Sequence, residues 1–352
     1  MIILGIESSC DETGIAIVQD GKTLLAQSLA SSMDIHALYG GVIPEIAARS
    51  HIEAILPAID DCLDLFSREN TKHSSEDVWE AIDGIAVTYG AGLSGSLLIG
   101  VLTARTLAIV KRKPLYAINH VEAHVYANFL VEQQPKFPLL SLIVSGGHSQ
   151  LVLFADHFSY TLLGQTLDDA IGEAFDKVAK IIGLPYPGGP NVSEFAKTGN
   201  AYAYSLPKAK MGDSYNFSFS GLKTAVLRAS QAAVGADYRL ASIELPERLS
   251  EAQKHDIAAS FQRIAVETVV EKTLRAYNEF KPASVVIAGG VAANQELRAQ
   301  VQARLPIEIH YAPPALCTDN GAMVATLGCY KAQLGAEAVD PYSLSIEPNL
   351  VM

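Results

Sequence analysis

The chain builds one local device twice, and that repetition limits its fold more than any other feature. Residues 2–6, Ile-Ile-Leu-Gly-Ile, and residues 14–18, Gly-Ile-Ala-Ile-Val, are short apolar runs flanking Ser8-Ser9-Cys10-Asp11-Glu12-Thr13. Residues 139–144 and 151–154 repeat the pattern around Ser145-Gly146-Gly147-His148-Ser149-Gln150. Short apolar runs bounded by polar or glycine clusters read as buried strands. A plain hairpin turn uses a pair such as Asn-Gly, so turns this polar do more than reverse the chain. Glycine in the second turn lets backbone N–H groups approach an anion with no Cβ in the way. Gly21 then leads to a third strand at residues 23–28. The expectation is an α/β chain of two halves, each opening on a hairpin whose turn suits a phosphate or a metal.

Length agrees. At 352 residues the chain exceeds the roughly 250–300 at which one core stops growing. Phe137-Pro138 marks the boundary. The first domain is read as residues 1–136 with 319–352, closed by a helix that starts at Asp319 and returns, and the second as residues 137–318. With 49% hydrophobic and 18% charged residues, the chain has ample core. A net charge of −12 excludes nucleic-acid binding through the overall field. Lys111-Arg112-Lys113 and Lys208-Ala209-Lys210 are local basic patches or solvated faces. Cys10, Cys62, Cys317 and Cys329 form no CxxC pair, which favours reduced thiols over disulfides or a zinc ribbon. The start lacks a basic n-region and meets Glu7 and Asp11 at once, unlike a signal peptide. The apolar helix at residues 94–110 carries Arg105 and two glycines and reads as too short for a bilayer. A soluble cytoplasmic protein without a membrane anchor is expected.

Pro44 opens a helix with apolar residues from Ile46 to Ile59, followed by a polar surface loop at 67–76. A strand at 82–87 runs into Tyr89-Gly90-Ala91-Gly92-Leu93-Ser94. That turn opens a helix but lacks the Gly-Lys-Ser/Thr of a P-loop. Asp168 and Asp169 begin a helix whose Asp176, two turns on, suits a ligand hydroxyl. Residues 186–190, Tyr-Pro-Gly-Gly-Pro, read as a rigid loop, and 217–224 as a helix start. A long helical region covers 247–279 with a break near His255. A strand at 283–288 then meets Gly289-Gly290 and Asn294, a seat for a nucleoside.

His120-Val121-Glu122-Ala123-His124 follows a strand at 113–118. Two histidines four apart share one helix face and suit zinc or iron(II) with a third ligand from elsewhere. Two capped or solvated histidines fit the same spacing. In a metallopeptidase the glutamate is adjacent to the first histidine, whereas Glu122 is two residues on and projects away. Asp319, in Cys317-Thr318-Asp319-Asn320-Gly321, is the available third ligand.

Eight ordered motifs carry a resemblance: ESSCDETG (7–14), HVEAH (120–124), VSGGHSQL (144–151), DDAIGEAFDK (168–177), YPGGP (186–190), FSFSGLKT (217–224), AGGVAAN (288–294) and CTDNGAM (317–323). Together the chain resembles the bacterial branch of the tRNA N6-adenosine threonylcarbamoyltransferase family, once labelled sialoglycoprotein endopeptidase, from residue 2 to about 333. The resemblance implies an actin/Hsp70/sugar-kinase-like (ASKHA) two-domain fold with its active site in the interdomain cleft. It implies transfer of threonylcarbamoyl from threonylcarbamoyl-AMP to N6 of adenosine 37 in tRNAs reading ANN codons, with ATP, ADP or AMP able to occupy the nucleotide site. It implies one divalent metal, Fe2+ or Zn2+, on His120, His124 and Asp319. Ile143, Val144, Ser145, Gly146, Gly147, Asp176, Gly189 and Asn294 match the adenylate-substrate positions. Implied partners are tRNA, a paralogous ASKHA dimerisation subunit, a small P-loop-type ATPase and the threonylcarbamoyl-AMP synthase. Asp11 or Glu12 is the suggested group that orients or deprotonates the amine, from two acids in a turn facing the metal.

Three positions depart from the family pattern. Ile143 replaces the tyrosine that joins the metal in the archaeal and eukaryotic branch, Ala91 replaces a proline, and Ser149 a threonine. A small-molecule kinase of the same architecture, a metallopeptidase and a non-catalytic nucleotide-binding scaffold are the rival readings. A kinase would use magnesium through carboxylates and waters and has no need of the two histidines.

Overall fold

A computed structural model of the chain describes residues 1–69 and 78–352. It divides into two units, Met1–Gln134 with Ala312–Met352, and Pro135–Tyr311. Residues 312–318, assigned from sequence to the second half, therefore fall in the first.

In the first unit, strands β1 (Ile2–Glu7), β2 (Glu12–Gln19), β3 (Thr23–Ser31), β4 (Gly84–Gly90) and β5 (Leu115–Asn119) form one sheet in the order β3-β2-β1-β4-β5. β1 pairs antiparallel with β2 and parallel with β4, and Glu7 sits opposite Gly14. In the second unit, β6 (Leu139–Val144), β7 (Ser149–Asp156), β8 (Ser159–Gln165), β9 (Ser284–Ala288) and β10 (Ile309–Tyr311) repeat that order as β10-β9-β6-β7-β8. Each sheet thus has a meander on one side and parallel strands on the other.

β1 is apolar from Ile2 to Ile6 because both faces are covered, as in parallel sheets with helices on either side. Successive residues point to opposite faces. Gly5 faces the helix Gly321–Gln333, where an added Cβ would meet Gly321 O at 2.4 Å and Ala325 N at 2.5 Å. Leu4 and Ile6 face the other way, into a core with Ile55 and Ile59 of the helix Pro44–Glu69 and Val101 and Ala104 of the helix Ser94–Lys111. The glycine of β1 sets how closely the last helix approaches the sheet, and hence where the turn before that helix lies.

Several elements differ from the sequence reading. β8 was not expected, because Ser-Tyr-Thr-Leu-Leu-Gly-Gln carries only weak alternation and is half-buried at the sheet edge. Residues 186–190 are not only a loop: Gly188 starts the helix Gly188–Ala196. The break in the long helical region lies at Leu249-Ser250, where Ser250 and Gln253 form a capping box opening Glu251–Phe280, and His255 sits inside that helix. Of the expected loop at 67–76, residues 67–69 belong to the helix Pro44–Glu69, and the remainder lies outside the described residues. The helix Ser94–Lys111 has 18 residues and is long and apolar enough to cross a membrane by length and composition, which corrects the expectation that it falls short.

Candidate metal centre and nucleotide loops

β5 ends at Asn119, whose side-chain oxygen accepts from Val121 N at 2.9 Å and Glu122 N at 3.3 Å. This cap satisfies two free N–H groups and starts the helix His120–Tyr126. His120 and His124 lie one turn apart, edge to face, with ring centroids 4.7 Å from each other, both buried. Asp319 arrives from the turn before the helix Gly321–Gln333, itself capped by Asn320 onto Met323 N at 2.9 Å. Asp319 Oδ1 lies 3.6 Å from His120 Nε2 and 3.3 Å from His124 Nε2. The ligand atoms of all three residues fall within 4.8 Å of one another.

Two observations test whether this group suits a cation. Among the described residues both ring nitrogens of His124 are buried without a hydrogen-bond partner, a costly state that a metal bond relieves. Negative charge also accumulates. Burial, followed by repulsion from Asp319, Asp11 and Glu7, raises Glu12 to about 8. Asp11 is raised by burial, against its bond from Cys10, with Asp319 adding repulsion. Burial opposes charge on His120, yet Asp319 and Glu7 outweigh it and push the imidazole up to about 9. The metal-free chain therefore holds protons that a cation would displace. The residues fit a divalent ion.

The hydroxyl-rich turn is fixed from outside. His51 Nδ1 meets Thr13 Oγ1 at 2.7 Å and its Nε2 meets the Cys10 carbonyl at 3.0 Å. Ser96 Oγ donates to that carbonyl at 3.0 Å. Asp11 lines a cavity of about 270 Å3 with Thr13, Ser31, Ser32, Ser50 and Glu53. Glu12 is buried with Oε2 lacking a hydrogen-bond partner. Glu122 is raised by burial, partly offset by Lys331, an environment separate from Asp319.

In the second unit Ile143 to Gly147 lie at the carboxyl end of β6 and Asn294 follows the carboxyl end of β9, where α/β sheets place ligands, whereas Asp176 and Gly189 lie on the helices Ile171–Ile182 and Gly188–Ala196. Ile143 and Val144 are buried at the end of β6, whereas Gly146 and Gly147 are exposed. Ser145 closes the turn by accepting from His148 N at 3.1 Å, and its carbonyl accepts from Gly172 N at 3.2 Å. Gly289, at φ +89°, would put a Cβ 2.4 Å from Val144 O, so the loop after β9 needs a bare backbone there. Asp176 Oδ1 accepts from Gly188 N at 2.7 Å, which places Gly189 beside it. Asn294 caps the helix Gln295–Arg304 through Leu297 N and donates to Ser193 Oγ and Gln262 Oε1, both at 2.9 Å. Its amide ties the start of that helix to Ser193 and Gln262.

A family model for tRNA N6-adenosine threonylcarbamoyltransferase matches residues 23–326. The chain belongs to this family. A family member from Thermomicrobium roseum is 47% identical over 351 residues, covering 96% of this chain and 94% of the relative. The one from Symbiobacterium thermophilum is 47% identical over 337 residues, covering 95% and 92%. Both bear the family's name. Among solved structures, full-length HypF in its phosphate- and nucleotide-bound form aligns with a TM-score of 0.59 at 13% identity, over 96% of this chain and 47% of that one. Component A of (R)-2-hydroxyglutaryl-CoA dehydratase from Acidaminococcus fermentans aligns with a TM-score of 0.51 at 17% identity, over 95% and 99%. These likenesses establish the fold as ASKHA-type, and family membership makes the chain an acyltransferase rather than a sugar kinase.

Sequence reasoning missed one residue of this family member's centre. Glu7, the last residue of β1, is fully buried. Its Oε2 lies 3.2 Å from His120 Nδ1 and accepts from Thr88 Oγ1 at 2.6 Å, while Oε1 accepts from Ser9 N at 2.6 Å. The available signal was an acid closing an otherwise apolar strand.

Proposed function

We propose that the chain transfers the threonylcarbamoyl group from threonylcarbamoyl-AMP to N6 of adenosine 37 in tRNAs reading ANN codons. The observation that carries this reading is the convergence of His120, His124 and Asp319 beside a turn of acids. Those three residues would hold one Fe2+ or Zn2+. Once bound, such an ion supplies Lewis-acid polarisation of the acyl donor, useful because the exocyclic amine of adenine is a weak nucleophile. Three protein ligands leave positions open.

The remaining work falls to the chain's own groups. Ile143, Val144, Ser145, Gly146 and Gly147 offer a backbone turn to the adenylate phosphate. Asp176, Gly189 and Asn294 line the nucleotide, and Asn294 also caps the neighbouring helix. ATP, ADP or AMP can fill the same seat. The amine nitrogen attacks the carbamoyl carbon, the bond from that carbon to the adenylate phosphate oxygen breaks, and AMP leaves. The proton lost by the amine passes to Asp11 or Glu12. Glu12 is the better acceptor geometrically, because its Oε2 has no hydrogen-bond partner.

The partners follow the same reading: tRNA, a paralogous ASKHA subunit, a small P-loop-type ATPase and the synthase that supplies the adenylate. Support for a protein partner comes from Ile52, Leu56, Leu98 and Leu102, exposed on two helices that pack together. An apolar face of this kind commonly marks an interface. It also accounts for an exposed apolar helix in a protein that works on tRNA in the cytoplasm. The −12 charge agrees with tRNA held by a composite surface. The test is a reconstituted reaction with unmodified ANN-decoding tRNA, threonine, bicarbonate, ATP and the partner proteins, read by nucleoside mass spectrometry. Modified adenosine with wild type and none with His120→Ala is expected. Equal product from both would sink the metal-assisted mechanism.

A further inference from the structure

We infer that Glu7 is the positioning residue of the metal centre, accepting a hydrogen bond from His120 Nδ1–H so that Nε2 faces Asp319 as the ligand atom. This rests on the metal-centre reading above and deepens it. Neutral imidazole has one N–H and one lone pair, and the hydrogen bond at one nitrogen decides which atom is free to ligate. In this chain His120 Nδ1 lies 3.2 Å from Glu7 Oε2, while His120 Nε2 points to Asp319.

The carboxylate is held rigidly for this task. Thr88 Oγ1 and Ser9 N each donate to it at 2.6 Å, one to each oxygen. β1 pairing carries its backbone, opposite Gly14. Glu7 has no exposed surface, and a buried carboxylate is costly unless a cation or several donors answer it. The groups that answer it are Thr88 Oγ1, Ser9 N and the ring of His120, all within hydrogen-bond reach of its two oxygens. His124 has no equivalent, since neither ring nitrogen has a hydrogen-bond partner. One histidine is thus oriented before any ion arrives. Ser9 Oγ, 3.1 Å from the same Nδ1, is the competing acceptor, and the experiment must separate the two.

Full-length wild type, Glu7→Gln and Ser9→Ala are stripped of metal and titrated with Co2+, following ligand-field absorption, with urea unfolding in parallel. Glutamine keeps the shape but offers one acceptor oxygen to three donors. The expected result is a cooperatively folded Glu7→Gln chain that binds Co2+ roughly 10- to 100-fold more weakly, with an altered band. Ser9→Ala should match wild type. Wild-type affinity and spectrum in Glu7→Gln would overturn the inference, even if its urea midpoint falls, because that pattern means packing alone. A loss in Ser9→Ala as large as in Glu7→Gln would also overturn it by giving the proton to the hydroxyl. Failure of wild type to take Co2+ would overturn both this inference and the metal centre beneath it.

Discussion

Gly321→Ala should weaken metal binding from two residues away. An added Cβ at Gly321 would meet Ala16 N at 2.5 Å and Ile15 C at 2.6 Å, and ordinary contact begins at 3.4 Å. Both neighbours are backbone of β2, which is held in register by β1 and β3. The strand has no room to yield, so the start of the last helix must retreat by roughly 1 Å, at a typical overpacking cost of about 1–3 kcal/mol. Asp319 stands just before that start, and metal–ligand distances tolerate only about ±0.2 Å. A shift of that size takes the carboxylate out of bonding range of an ion held by His120 and His124. The assay is Co2+ or Zn2+ titration of the metal-free chain, with urea unfolding as the stability control. At least a tenfold loss of affinity is expected. Gly221→Ala, where an added Cβ meets nothing within 4 Å, should leave both quantities unchanged or gain stability. Wild-type metal affinity in Gly321→Ala, alongside the expected stability loss, would refute the claim that this contact sets Asp319.

Three further outcomes follow from the same geometry. Burial, with repulsion from Asp319, Asp11 and Glu7, pushes Glu12 from the ordinary 4.5 up to about 8 in the metal-free fold; the fold therefore keeps a proton that the unfolded chain releases, and stability falls as pH rises through that window. Urea midpoints should drop between about pH 5 and about pH 8 for metal-free wild type and stay flatter for Glu12→Gln; an equal drop in both would count against it. Asn294→Ala removes a helix cap, worth about 0.5–2 kcal/mol, and two bonds to Ser193 and Gln262, so its urea midpoint should fall measurably, and an unchanged midpoint would contradict the role given to that amide. Arg105 donates to the carbonyls of Pro341, Tyr342 and Leu344; Arg105→Ala should speed limited proteolysis around residues 336–345 while leaving the metal affinity unaltered.

Much of this was written plainly in the chain. Apolar runs at 2–6 and 139–144 announced both sheets because their strands are buried on both faces, and such strands need little but β-branched and aliphatic residues. His120 and His124 were readable because four-residue spacing alone places them on one face. Asp319 was legible only as an acid in a polar turn; what brings it to the histidines is the close passage of Gly5, Gly14 and Gly321, a long-range fit with no local signature. Glu7 escaped notice for the same reason, since its partners Thr88 and His120 lie 81 and 113 residues away. Asn294 was legible as a polar residue at a helix mouth, whereas its bonds to Leu297, Ser193 and Gln262 join segments 32 and 101 residues apart and leave no local signature.

The central claim is that acyl transfer to adenosine depends on the ion held by His120, His124 and Asp319. The direct measurement is modified nucleoside formed per tRNA by the metal-stripped chain, with its partners and threonylcarbamoyl-AMP supplied, before and after one equivalent of Fe2+ or Zn2+. Product should vanish on stripping, return with added metal in wild type, and fail to return in Asp319→Ala. Full product from the stripped chain would contradict the account.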